Sequence, residues 1–206
     1  MPCRIELIYD DLSRTVIELS FADDDPSAVS TQQSHTPPPE LPGADALASF
    51  SATVGAQVFA TAHSKLGDKS FSSGADFVRF CFSRATEPLP PLGSVYGLRV
   101  MTIRYDSGGK SKSKQSESID GLRGGDVVAV REAKFKHGLS TTKVGGSGAP
   151  HVAVVSSFDA RKRKLRVIER AQGSGAVQEE AYRLEDLKSG SLVVYRPAPR
   201  SFVSRD

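Results

Sequence analysis

Leu122-Arg-Gly-Gly-Asp-Val-Val-Ala-Val130 is the stretch on which the fold turns. Its glycines and aspartate make a turn, and the apolar, mostly β-branched run that follows has strand length rather than helix length. Pro150-His-Val-Ala-Val-Val155 repeats the arrangement with a histidine at its head. The pattern predicts strands over Val127–Val130, Val152–Phe158, Leu165–Glu169 and Leu192–Tyr195, with Asp159-Ala-Arg-Lys-Arg-Lys164 as an exposed hairpin connection. Upstream, Ser73-Gly-Ala-Asp-Phe-Val78 opens a helix that Ser72 or Ser73 can cap and that runs to about Ala85. Its apolar stripe is Ala75, Val78, Cys81 or Phe82, and Ala85, and Glu87-Pro-Leu-Pro-Pro91 stops it. An earlier helix, roughly Ala46 to Leu66, carries Phe50, Val54, Val58 and Ala62 on one stripe and ends at Gly67, a C-cap residue. Val95–Tyr105 is a further strand. Helices first and antiparallel strands afterwards make an α+β domain over residues 46–200.

Working outward, Cys3-Arg-Ile-Glu-Leu-Ile-Tyr9 alternates polar and apolar residues, and Arg14-Thr-Val-Ile-Glu-Leu-Ser-Phe21 is β-rich. Asp10-Asp-Leu-Ser13 supplies turn chemistry between them, so residues 1–22 read as a β-hairpin arm. A lone hairpin is marginal in water, so the arm is expected to pack on the domain. Residues 23–45 shift to Asp, Ser, Gln and Pro and end in His35-Thr-Pro-Pro-Pro39, which reads as an extended, polyproline-type strap or linker. Two segments, 106–118 and 136–149, read as flexible insertions; the first is a Ser/Lys/Gly run with no apolar residue up to Glu117, the second contains Gly145-Gly-Ser-Gly148.

The chain has 206 residues, 38% hydrophobic and 25% charged, enough for one substantial domain with an appended arm. No apolar run approaches the ~20 residues of a membrane span. Ile5 to Ile8 is too short for a signal peptide and is interrupted by Glu6. Cys3 and Cys81 form neither a disulfide framework nor a metal spacing, which points to a reducing compartment and to no metal or cofactor. The net charge of +3 is small and Trp is absent, so a nucleic-acid partner is not expected.

The order of the capped helix at Ser73, the Gly-Asp turn at Gly125-Asp126 and the strand headed by His151 resembles the papain-like peptidase superfamily in its NlpC-type form. A closer resemblance covers nearly the whole chain. Tyr9-x-Asp11-x-Ser13-x-Thr15, the His35 to Pro39 connector, Gly67-Asp68 and Val193-Val-Tyr-Arg-Pro197 look like the C-terminal cysteine-proteinase-fold domain of fungal myosin tail region-interacting proteins. Those proteins are SH3-containing components of cortical actin patches. The resemblance implies a papain-like fold with N-terminal helices packed on an antiparallel half-barrel. It also implies a cytoplasmic, cytoskeletal location and partners in the endocytic actin machinery, type I myosin and WASP-family proteins.

A thiol protease needs a thiolate at a helix N-terminus, a histidine facing it, and a polar residue that orients the imidazole. Active relatives carry a Gly-Glu-Cys-Trp-like segment at the helix start. Setting it over Gly74-Ala-Asp76 puts Ala75 at the nucleophile position, or Gly74 after a one-residue shift, and neither has a nucleophilic atom. Cys81 lies ~9 Å further along the helix axis, away from the activating turn, and reads as a core residue. Cys3 lies on the hairpin. His151 stands at the base position, equally readable as a strand-end histidine in a wet cleft. Glu169-Arg-Ala171 replaces a Glu-Gln-Asn-like run, so the orienting amide is missing, although Glu169 could still bond His151.

With vestigial positions at Ala75, His151 and Glu169, the chain reads as a pseudoenzyme and protein-interaction domain. The competing reading is an active cysteine-type peptidase or amidase. A basic lipid-surface adaptor would rest on Lys110-Ser-Lys-Ser-Lys114 and Arg161-Lys-Arg-Lys164, runs that are more simply solvated loops. The expected binding groove lies between Gly74, Ala75, Asp76 and His151, with Gly145–Gly148 as a movable flap beside it. Ala75 is expected to face the His151 imidazole across that cleft. Pro37-Pro-Pro39 reads as a tethered strap rather than an SH3 ligand.

Overall fold

Four consecutive apolar residues at Val127–Val130 demand a strand covered on both faces, and that requirement organises the main body of the protein. The computed structural model describes residues 2–21, 28–105, 111–115 and 121–203. The chain falls into two units, Met1–Leu41 and Pro42–Asp206.

The first unit is a three-stranded antiparallel sheet in the order β1-β2-β3, with β1 at Pro2–Ile8, β2 at Arg14–Phe21 and β3 at Val29–Thr36. The expected hairpin is present. Its turn is held by Asp11, whose Oδ1 accepts from the Ser13 N–H at 2.9 Å and the Ser13 hydroxyl at 2.7 Å. These bonds, the hydroxyl's first, hold the exposed Asp11 carboxyl below its usual range. The Tyr-x-Asp-x-Ser-x-Thr pattern is thus turn chemistry, and Thr15 then meets His35 Nδ1 at 2.9 Å across the sheet. The expectation of a polyproline-type connector fails over Val29–Thr36, which is a third strand. All of its residues are exposed, so backbone pairing to β2 makes it a strand without apolar alternation in its sequence.

The second unit is α+β. Helix α1 spans Ala44–Phe50 and α2 spans Ala56–Ser64, joined without a break through a π-helical turn at Ser51–Gly55; α3 spans Gly74–Ser83. The strands are β4 Leu98–Tyr105, β5 Ser111–Gln115, β6 Val127–His137, β7 Ser140–Val144, β8 His151–Asp159, β9 Lys164–Arg170, β10 Val177–Arg183 and β11 Leu187–Arg196. They form an antiparallel sheet in the order β10-β9-β8-β6-β11-β4-β5, with β7 pairing β6 beyond the end of β8.

Two expectations need correction here. Part of the 106–118 insertion is β5, paired to Met101–Tyr105; residues 106–110 and 116–120, including Lys110, lie outside the described residues. The 136–149 insertion is largely the end of β6 and all of β7. Strand β10 was also not read from the sequence. These are polar or edge strands, whose formation depends on a neighbour's free backbone groups.

Residues alternate between the two faces of the sheet except at bulges, one of which, in β6 beyond Val130, brings Phe135 to the concave face. One face, with Val127, Ala129, Val152, Val154 and Ile168, is buried under Val58, Ala62, Phe77, Val78, Cys81 and Phe82 of the helices. The other face, with Val128, Val130, Ala153, Val155, Leu165 and Val167, is buried as well. It is covered because the sheet curls into a half-barrel. Phe135 of β6 stacks on Tyr182 of β10, ring centroids 5.1 Å apart, although β8 and β9 separate those strands in the sheet order.

The Gly-Gly-Asp turn earns its residues by contact. Gly125 has φ +91°, and a Cβ there would sit 2.0 Å from the carbonyl oxygen of Gly55 in the π turn. Asp126, 1% exposed, makes a bidentate pair with Arg196, 2% exposed, both bonds 2.9 Å long. Burial pushes the Asp126 carboxyl up and the guanidinium opposes it. The pair ties the turn before β6 to the end of β11.

Candidate functional site

The start of α3 is a closed cap. Ser73 Oγ accepts from the Asp76 N–H at 3.0 Å, while Asp76 Oδ2 accepts from the Ser72 N–H at 3.0 Å and the Ser72 hydroxyl at 3.1 Å. Gly74 opens the helix and is pressed against β8, since a Cβ there would lie 2.9 Å from the Val152 carbonyl oxygen. Ala75 follows in the first turn, partly buried against the helix-side core. Cys81 is fully buried further along α3, and burial pushes its thiol up to about 12. Cys3 is exposed in the first unit.

His151 opens β8 opposite Val130. By alternation its side chain shares the face of Ala153 and Val155, whereas Val152 meets the helix. The imidazole turns to the concave face of the half-barrel. There its Nε2 lies 2.9 Å from Glu169 Oε2, and the Tyr182 hydroxyl donates a short hydrogen bond to the same oxygen. All three side chains are at least nine-tenths buried. Burial first, then the Glu169 charge, pushes the Tyr182 phenol up, so it stays protonated as a donor. With the carboxylate accepting twice, the network assigns the Nε2 proton to His151.

This trio forms the floor of a cavity of about 480 Å³. Its walls are one face of the curled sheet at the spacing of two that strands impose: Phe135 and His137 of β6, Thr142 and Val144 of β7, Gln178, Glu180 and Tyr182 of β10. Gly74, Ala75 and Asp76 do not line it. The glycine-rich segment beside it is pinned. Gly145, φ +73°, packs so closely on β6 that a Cβ would come within 2.2 Å of the Val130 carbonyl oxygen. Arg131 bonds the Gly148 carbonyl at 3.1 Å and the Ser94 hydroxyl at 3.0 Å. Sequence reasoning paired Glu169 with His151 as one option and missed Tyr182 and Phe135 entirely. Nothing in Val177–Arg183 signals a site, because its partners come from distant strands.

A model of the AIM3/BBC1 cysteine proteinase-fold domain matches residues 32–206, from within β3 to the last residue. The chain belongs to this family. It is also similar to SH3 domain-containing protein C23A1.17 of Schizosaccharomyces pombe, 28% identical over 208 residues, covering 97% of this chain and 12% of that protein. The chain thus spans about an eighth of that relative's length. No solved structure matches it. The α+β architecture, helices on a large antiparallel sheet, agrees with a cysteine-proteinase fold. Among the described residues no helix is long and apolar enough to cross a membrane.

Proposed function

We propose that this chain is a non-catalytic protein-interaction domain of a fungal actin-patch scaffold, acting with type I myosin and WASP-family partners at the cytoplasmic cortex. The carrying observation is the place of its sulfur atoms. The first turn of α3 holds Ala75, and Cys81 is sealed in the core with its thiol held protonated. A thiolate at a helix start, the element a cysteine peptidase depends on, has no atom to form from at that turn. The family match and the SH3 domain in the similar fission-yeast protein support a protein-interaction scaffold.

Two measurements test the two halves of this reading. In a Cys3→Ser variant, a maleimide near neutral pH is expected to leave Cys81 unmodified until denaturant is added. Immediate stoichiometric labelling together with hydrolysis of peptide or amide substrates would restore the enzyme reading. The immobilised chain is expected to recover a type I myosin or a WASP-family protein from fungal extract. Recovery of neither would remove the actin-patch assignment.

A further inference from the structure

The half-barrel cavity has a floor made of acceptors. Glu169 uses one carboxylate oxygen twice, for His151 and Tyr182, and its Oε1 accepts from no described residue although the side chain is only 8% exposed. His151 donates through Nε2, which leaves Nδ1 as an acceptor, also without a partner among the described residues. The Tyr182 ring stacks on Phe135, planes 22° apart, and both rings line the cavity. A buried carboxylate oxygen left unmatched is costly, and a donor-rich cation that also stacks on aromatic faces is the group that relieves it. Lysine is a poorer match, since its ammonium is more strongly hydrated and cannot stack.

Resting on the protein-interaction reading above, we propose that this cavity is a recognition pocket for an arginine side chain of a partner peptide. The guanidinium donates to Glu169 Oε1 and lies along the Phe135–Tyr182 pair. Among the described residues strand β7 pairs with β6 alone, so its other backbone edge runs beside the cavity and can align an extended peptide. The rim does not decide the sign. Lys143, Lys164 and Arg183 are offset there by Glu180 and Asp186, the latter bonded to His137 at 3.2 Å. Selection falls to the floor, whose side chains are buried and whose charge interactions are less screened than those of the rim.

The test is an NMR titration of the full chain with Nα-acetyl-arginine methylamide, its neutral isostere acetyl-citrulline methylamide, and the lysine and glutamate analogues. The arginine compound is expected to give saturable shifts at Glu169, Gln178 and Tyr182, with citrulline at least tenfold weaker. Glu169→Gln is expected to remove the preference. Should that variant unfold, Thr142→Trp, an exposed strand position filling the mouth, is expected to abolish the shifts while the remaining spectrum stays folded. Absence of saturable shifts, equal response to citrulline, preference for the glutamate analogue, or persistence in Thr142→Trp would overturn the proposal. The two readings fail separately. Partner capture that survives Thr142→Trp would leave the interaction domain standing without this pocket. Failure to capture any partner would remove the interaction reading, while the titration would still decide the pocket.

Discussion

The two sides of β8 do opposite work. Val152 and Val154 face the helices, where side chains and even backbones touch, as at Gly74 on the Val152 carbonyl. His151 faces the concave side, where a buried polar trio lines open space. Neighbouring residues of one strand thus serve an apolar core and a polar cavity because the pleat sends successive side chains in opposite directions.

The largest expected effect is on the helix side. Gly125→Ala forces a Cβ into the Gly55 carbonyl at a positive φ, so a loss of about 3 kcal/mol or more is expected in denaturant unfolding. A loss below about 1 kcal/mol would mean that the turn and helix are not in backbone contact. On the cavity side, Tyr182→Phe keeps the ring stack and deletes the donor to Glu169. A cost of about 1.5–3 kcal/mol is expected, the range for a hydrogen bond to a charged group. An unchanged midpoint would show that the trio is not a stabilising unit.

Cys81 adds a pH signature to the helix side. Its thiol titrates near 9.0 when unfolded and at about 12 when folded, so the folded state holds the proton more tightly. That contribution is complete below pH 9 and is lost as the pH rises towards 12. Stability of Cys81→Ala should therefore fall less steeply than that of the parent across this window. Parallel curves would place the thiol in contact with water.

The smallest expected effect is the sharpest test of the comparison. Ala75→Cys should change stability by no more than about 0.5 kcal/mol and confer no hydrolysis, because the imidazole is held by Glu169 in the cavity that Ala75 does not line. The alkylation rate of the introduced thiol should be the same with and without His151→Ala. A rate that depends on His151 would mean that the two residues do form a dyad.

Legibility followed burial. Strands β6, β8, β9 and β11 and the α3 cap could be read because their cores are apolar runs and a Ser-x-x-Asp signature. Strand β3, with every residue exposed, β5 with Ser-Lys-Ser-Lys-Gln, and β7 with Ser-Thr-Thr-Lys-Val could not. Their conformation is imposed by a neighbour's hydrogen-bonding edge, and their side chains carry little trace of it.

By itself, the sequence determined that this is an α+β chain with a capped helix, a Gly-Gly-Asp turn and a histidine-headed strand, and that no thiol stands at the helix start. Those are local matters, set by turn chemistry, capping and hydrophobic period. Only the tertiary structure decided that His151 turns to Glu169, that Tyr182 bonds the same carboxylate, and that these three line a cavity. Strand register and sheet curl are long-range properties. A one-residue difference in register reverses which face a side chain occupies, and the identity of the neighbouring residues does not reveal it.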